Sequence, residues 1–385
     1  MIARLRDRFL RNFSEAGELG ASVSVWQNGK EIISLHHGWR DKEETIPWTD
    51  DTLVPVWSVT KGPAAITTLL ALHKAGIPPE SPVIDVWPEL RAAREGKLTF
   101  ADLLAHRAGL PALDPDKRPH ILQHTEVVAA LETQEPHWTP RRSHGYHPRT
   151  YGFLLEEIVR RVTHGTSLGV YWRERIADPC RIDFHIGRLT AEDLERTATI
   201  IPPKVQKPNP EELPFFQAIT NPDSIAAQAF SSPSGMRALS DINKAEFLQA
   251  GLPALGGVGS ANGIAKFYQV LLQGGILDGV QVIPKTICQM AGSQKTAGVD
   301  ETFQIPTAFA AGFMKDPLDE KGEKVRRLFG PSHRAYGQPG AGGSHAFADP
   351  EHGVSFAYVM NQMETGVLPN RKSLDLVEML YEELL

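Results

Sequence analysis

An Asn28-Gly29 pair separates two β-like runs near the start of the chain, Ser22-Val23-Ser24-Val25-Trp26 and Glu31-Ile32-Ile33-Ser34-Leu35. Both central positions of a two-residue hairpin turn need positive φ, which Asn and Gly tolerate, so the stretch predicts an antiparallel hairpin. A second hairpin is predicted near the other end: Ser344 to Ala348, a turn from Asp349 to Gly353, then Val354 to Met360. Amphipathic helices border the two hairpins, one carrying Ile2, Leu5, Phe9 and Phe13, the other covering Ser373 to Leu385. The economical arrangement joins both hairpins in one antiparallel sheet with these helices against it.

Everything else is then inserted between the two halves of that sheet. The middle reads as mostly helical, at roughly 100–106, 125–131, 151–162, 168–176, 191–196 and 263–274. The expected fold class is α+β: one catalytic domain over residues 1–385, with an α/β lobe from 1–75 plus 290–385 and a helical lobe from 76–289. The stretch from Ile201 to Pro233 is rich in proline and polar residues and predicts a long loop. It is either a flap over a site or a plain surface excursion. No repeat, linker or low-complexity tract divides the chain.

Charge removes several classes of function. With Lys+Arg 40 against Asp+Glu 46, well mixed, and a net charge of −6, no basic field invites nucleic acid or an anionic membrane. No apolar run is long enough to span a bilayer. Met1 to Arg8 lacks the apolar core of a signal peptide, so the expected compartment is the cytoplasm. The two cysteines, Cys180 and Cys288, make no disulfide framework and no metal-type spacing; reduced, buried thiols are expected. The oligomeric state is left open.

Chemistry concentrates in Val56-Trp57-Ser58-Val59-Thr60-Lys61-Gly62, directly before a helical pattern. Three residues apart on a helix, Ser58 and Lys61 share a face. In a first turn, free N–H groups and the helix dipole disfavour an ammonium, so Lys61 can act as a base on the Ser58 hydroxyl. The pattern is loose and needs companions. Gly145-Tyr146-His147-Pro148 puts a phenol at the start of a helical segment, where a cation such as Lys61 would lower its pKa for acid–base work. Tyr336-Gly337-Gln338-Pro339-Gly340-Ala341-Gly342-Gly343-Ser344 brings glycines into a strand, where backbone N–H groups can face a developing oxyanion.

In this order the three stretches resemble the serine β-lactamase and penicillin-binding superfamily, whose signature is Ser-x-x-Lys. Within it the chain looks most like the class C β-lactamase-related esterases, the family VIII carboxylesterases. The resemblance runs nearly end to end and takes in Pro47 to Leu53, Leu103 to Pro111, Asp349-Pro350 and Tyr358 to Asn361. It implies a two-step acyl transfer. Ser58 attacks the carbonyl while Lys61 and Tyr146, titrating as one coupled unit, accept its proton. Tyr146 then protonates the departing oxygen and later activates water. By the same mapping the N–H groups of Ser58 and Ala341 form the oxyanion hole, with Gln338, Gly340 and Pro148 expected at the substrate; Trp57, beside the nucleophile in sequence, is either a further substrate-binding residue or packs in the core.

Two departures shape the expected substrate. Pro148 stands where lactamases of this fold carry the asparagine of Tyr-x-Asn, and Gln338 stands where a lysine or histidine precedes the strand glycine. Neither supplies the amide or the cation that would hold an antibiotic and its carboxylate. The expectation is hydrolysis of short-chain or small-alcohol esters as small-molecule substrates, with no cofactor and no metal. Alternatives on the same site are a β-lactamase or D-alanyl peptidase-like amidase, an acyltransferase, or an inactive ligand-binding relative. Other motifs fall short. Gly342-Gly343-Ser344-His345-Ala346 lacks the last glycine of a nucleophile elbow, and Gly256-Gly257-Val258-Gly259 completes no dinucleotide fingerprint. His144 and His147 have no carboxylate or cysteine to complete a metal set and are expected to be solvated loop residues.

Overall fold

The computed structural model of the protein describes residues 2–204 and 207–385. Its terminal hairpins meet as their patterns require. Strands Gly20–Gln27 and Lys30–Gly38 turn through Asn28 (φ 49°) and Gly29 (φ 87°). Strands His345–Asp349 and Val354–Met360 form the second hairpin, and Val354–Met360 pairs antiparallel with Gly20–Gln27, Ala21 opposite Met360. Tyr336–Pro339, Met314–Lys315, Pro306–Phe309 and Thr296–Val299 extend the pair to eight strands.

Every residue of Val354–Met360 is buried, because helices cover both faces of the sheet. The Tyr358 ring packs on Phe9 of helix Ile2–Glu15, which lies along helix Arg371–Leu384. Ser355, an odd number of residues away and so on the other face, donates to the Ala265 carbonyl of helix Ala261–Leu272 at 2.8 Å. Leu5 and Phe9 are the buried face that the helical spacing marked.

The middle is helical, with one addition. Helix Lys61–Lys74 is buried continuously from Lys61 to Leu72, which explains its apolar character all round. Helix Thr150–Val162 packs beside it. A small sheet of Val54–Pro55, Gly257–Gly259 and Phe184–Ile186 was not anticipated. Its central strand needs glycine: a Cβ on Gly257 would lie 2.4 Å from the Phe184 ring and 2.5 Å from Thr60 Oγ1.

The stretch 201–233 departs from the expected loop. It contains helices Leu213–Ile219 and Ile225–Ser231. Pro214 falls in the first turn of one, where a missing N–H costs nothing, and Ser224 caps the other by accepting from Ala227 N at 3.0 Å. Val205 and Gln206 of this stretch, like Met1, lie outside the described residues. Cys180 and Cys288 are free and buried. Among the described residues no helix is long and apolar enough to cross a membrane.

Candidate active site

Ser58 opens a 3-10 turn, Ser58–Thr60, and Lys61 is the first residue of the following α-helix. The two therefore do not share one α-helical turn, yet they meet: Lys61 Nζ lies 3.2 Å from Ser58 Oγ. The turn is entered through Trp57 at φ 51°, ψ −128°, a conformation that L-residues rarely adopt. Neighbouring elements hold it there. Thr60 Oγ1 donates to the Trp57 carbonyl at 2.5 Å and accepts from Gly257 N at 2.9 Å. Gly340 lies so close that a Cβ would sit 2.3 Å from the Val56 carbonyl oxygen.

Lys61 is fully buried, and its Nζ donates to the carbonyls of Ala254 at 2.7 Å and Pro148 at 3.0 Å. Burial pushes its pKa well below the ordinary lysine value, and among the described residues no carboxylate offsets that. Desolvation is thus the cause, where the sequence pattern pointed to the helix dipole. A neutral amine has two N–H bonds and one lone pair. In that neutral form both N–H bonds are taken by the carbonyls and the lone pair is left for the Ser58 hydroxyl.

The Tyr146 ring lies under Lys61 Nζ, 4.7 Å from its centroid, and its hydroxyl accepts from Gln338 Nε2 at 3.2 Å. Phe303 stacks on it with centroids 4.6 Å apart and planes at 19°. The expected lowering of its pKa is corrected by the structure. Burial raises it, the Asp300 charge raises it further, and a hydrogen bond with Ser58 opposes only in part. With burial the largest cause of that rise, the group at this position is a protonated phenol at neutral pH.

Asp300 was missed by every motif. Its fully buried carboxylate accepts from Tyr146 N (3.0 and 3.1 Å), Thr302 N and Phe303 N (2.8 Å each) and Thr307 Oγ1 (3.0 Å). Burial lifts its pKa to about 6 in spite of these donors. In sequence it is one more acidic turn residue, and nothing links it to a tyrosine so far upstream.

His144 and His147 are also corrected, since both are buried. His144 sits between Thr307 Oγ1 (2.9 Å) and Thr296 Oγ1 (3.0 Å). His147 accepts from Leu110 N at 3.0 Å and donates to the Gly145 carbonyl at 2.6 Å. Desolvation takes their pKa values down to about 4 and about 3. Elsewhere Asp183, His185 and Asp193 bring possible ligand atoms within 4.8 Å of one another, but Arg196 already pairs with both carboxylates at 2.9 Å. That arrangement reads as an ion-pair network.

Ser58, Tyr146, Gln338 and Ala341 wall a cavity of about 20 Å³, closed by Phe230, Phe303, Met314, Pro339 and Val367. That is room for about one water, and among the described residues no charged side chain lines it. Ala341, like Ser58, begins a 3-10 turn, so neither N–H has an acceptor within its own turn. Three residues expected at the substrate do not line the cavity. The Trp57 ring is buried in the core, Pro148 gives its carbonyl to Lys61, and Gly340 serves the close approach to Val56.

A family model described as Beta-lactamase matches residues 6–377. The chain is 28% identical over 346 residues to "Esterase/beta-lactamase LipL" of Mycobacterium tuberculosis (strain ATCC 25618 / H37Rv), over 89% of this chain and 77% of that protein. A solved family VIII carboxylesterase matches with a TM-score of 0.84 and 30% identity, over 100% of this chain and 97% of the other. A penicillin-binding protein homolog from Caulobacter crescentus matches with a TM-score of 0.85 and 30% identity, over 99% and 96% of the two chains.

Proposed function

The chain belongs to the beta-lactamase family and is a serine hydrolase of that fold, and we propose that Ser58 is its nucleophile and neutral carboxylic esters with small acyl groups its substrates. One observation carries the reading: Lys61 is buried without a carboxylate, with two carbonyls on its N–H bonds and Ser58 Oγ 3.2 Å away. A serine hydroxyl facing an amine lone pair is an activated nucleophile.

In the proposed reaction Ser58 Oγ bonds to the ester carbon as its proton passes to Lys61. The carbonyl oxygen becomes an oxyanion facing the N–H groups of Ser58 and Ala341. Collapse expels the alcohol oxygen, which takes the Tyr146 proton, and Lys61 returns its own proton to the phenolate. Water then attacks the acyl carbon, gives a proton to the same pair, and Ser58 leaves reprotonated. The cavity supports a neutral, small acyl group because it is narrow, has no charged side chain among its described lining residues, and sets Phe230, Phe303, Met314, Pro339, Ala341 and Val367 beside the polar groups of the site. Gln338 supports the same preference: a neutral amide holds a carboxylate about half as strongly as a cation does.

A second reading, lactam hydrolysis, is favoured by the name of the LipL relative, which includes both activities. Hydrolysis of p-nitrophenyl acetate, p-nitrophenyl butyrate and a chromogenic cephalosporin, by wild type and Ser58→Ala, tests both. The expected result is ester turnover that falls by about 10³ or more in Ser58→Ala, with slow cephalosporin cleavage. Retained ester turnover in Ser58→Ala overturns the nucleophile. Cephalosporin cleavage as fast as ester cleavage overturns the substrate preference.

A further inference from the structure

We propose that Asp300 is a positioning residue that sets the Tyr146 hydroxyl by fixing, through one buried carboxylate, the backbones of Tyr146 and of Phe303 stacked on it. The proposal rests on the reading of Tyr146 as the proton donor and extends it to a group that never touches substrate. The geometry is specific. Asp300 Oδ1 accepts from the N–H groups of Tyr146, Thr302 and Phe303, and Oδ2 from Tyr146 N and Thr307 Oγ1. The two backbones it ties carry rings that stack face to face, 4.6 Å apart, and both rings wall the Ser58 cavity. Displacing either one moves the hydroxyl that Gln338 meets at 3.2 Å.

A buried carboxylate without a cation is an expensive way to hold a loop. Among the described residues no lysine, arginine or histidine pairs with Asp300; its partners are N–H groups and one hydroxyl. The titratable groups that face it are Tyr146 and, through Thr307, His144. Arg107 and Glu301 act on His144 rather than on Asp300. An anion aimed at backbone donors sets geometry more firmly than a neutral acceptor, because each such bond is charge-assisted. Protonation removes one acceptor and loosens the Tyr146 segment. Burial places that event near pH 6, so the hold is firm at neutral pH and slackens on acidification.

Selective ¹⁵N-tyrosine labelling gives seven amide signals, of which Tyr146 reports on Asp300 directly. The wild-type Tyr146 amide should titrate with a midpoint near 6, and the titration should vanish in Asp300→Asn. Thr307→Val keeps the carboxylate but removes one donor to it, so it should move the midpoint upward in a protein that still folds. In parallel, kcat for p-nitrophenyl acetate should fall by about 10²-fold in Asp300→Asn with KM little changed, the size expected for a displaced catalytic group. A Tyr146 amide that does not titrate, or a Thr307→Val midpoint that stays put, overturns the proposal whatever the enzyme turns over. Equal loss of kcat and of folded protein, with an unchanged pH profile, reduces Asp300 to a structural role and also overturns it. Absence of ester turnover in the wild type counts against the esterase reading alone, because the amide signal is read without substrate.

Discussion

A lysine amine serves as a base only while it is neutral, and the same burial that gives Lys61 two carbonyl partners disfavours its ammonium form. Lys61→Met keeps most of the volume and removes the lone pair, so ester turnover should fall by about 10² or more, as for a lost general base. The two carbonyls lose their donor, which costs roughly 1–3 kcal/mol each. The sign of the pH effect follows from linkage. Between its depressed folded pKa and the ordinary value of 10.5, the unfolded chain binds more protons at Lys61 than the folded one, so this contribution to stability grows with pH. The Tm gap between wild type and Lys61→Met should therefore widen from pH 7 to pH 9. Asp300 has the opposite sign. Its carboxyl rises from 3.8 to about 6 on folding, worth roughly 3 kcal/mol, so its contribution is full below 3.8 and is lost as pH climbs through 6. Stability and the hold on Tyr146 thus move in opposite directions at this residue. Ser58, Lys61 and Tyr146 were legible because they form a spacing and an order. Asp300, His144 and His147 were not, because groups that fix their places, the N–H groups of Tyr146 and Leu110 and the hydroxyls of Thr296 and Thr307, lie in other stretches of the chain.

The element that matters most is the 3-10 turn Ser58–Thr60 that enters helix Lys61–Lys74, and it depends on other elements for its shape. Trp57 adopts its strained φ because Thr60 grips the Trp57 carbonyl from inside the turn while strand Gly257–Gly259 grips Thr60 from outside. On the far side, Gly340 lets strand Tyr336–Pro339 run into the next turn directly against Val56. Its φ of −109° is ordinary, so the need for glycine is one of space alone. Gly340→Ala should force the Val56 carbonyl away, lowering stability by about 1–3 kcal/mol, the usual cost of overpacking. It should also shift Ser58 against Ala341, so kcat should fall more than KM rises; unchanged kcat in a folded variant would remove Gly340 from the site's support. The hairpins were readable at this scale because Asn28-Gly29 and alternating residues fix a turn and a register. The small sheet was not, since strands of two or three residues carry no period, and glycines chosen for clearance look like loop glycines.

For the molecule as a whole, the insertion of a helical middle between two halves of one sheet brings distant segments to a single point. Ser58 and Tyr146 come from the middle, Gln338 and Ala341 from the C-terminal strands, and Phe230 from the stretch 201–233. The hairpin strands of the sheet were legible because both hairpins announce themselves; Thr296–Val299, Pro306–Phe309 and Met314–Lys315, too short to show a period, were not. The stretch 201–233 was legible only as a loop, either a flap or a surface excursion, because prolines and polar residues hid two short helices whose aromatic rings turn inward. Phe215 meets Phe230 at 5.2 Å and Phe303 at 5.6 Å, so the helices Leu213–Ile219 and Ile225–Ser231 close over the cavity through one aromatic cluster. Binding pockets for small molecules usually measure about 300–1,000 Å³, far above the 20 Å³ beside Ser58, so a substrate must displace part of this cover. Phe230 is half-buried and at its edge. Phe230→Ala should therefore open the acyl side and raise kcat/KM for p-nitrophenyl butyrate over acetate by about 10-fold, the discrimination that one or two methylenes command in an apolar pocket. Cleavage of the 213–231 region by a protease should slow once Ser58 carries a bulky phosphonate packed against those rings. An unchanged butyrate-to-acetate ratio in Phe230→Ala would mean that acyl length is read elsewhere.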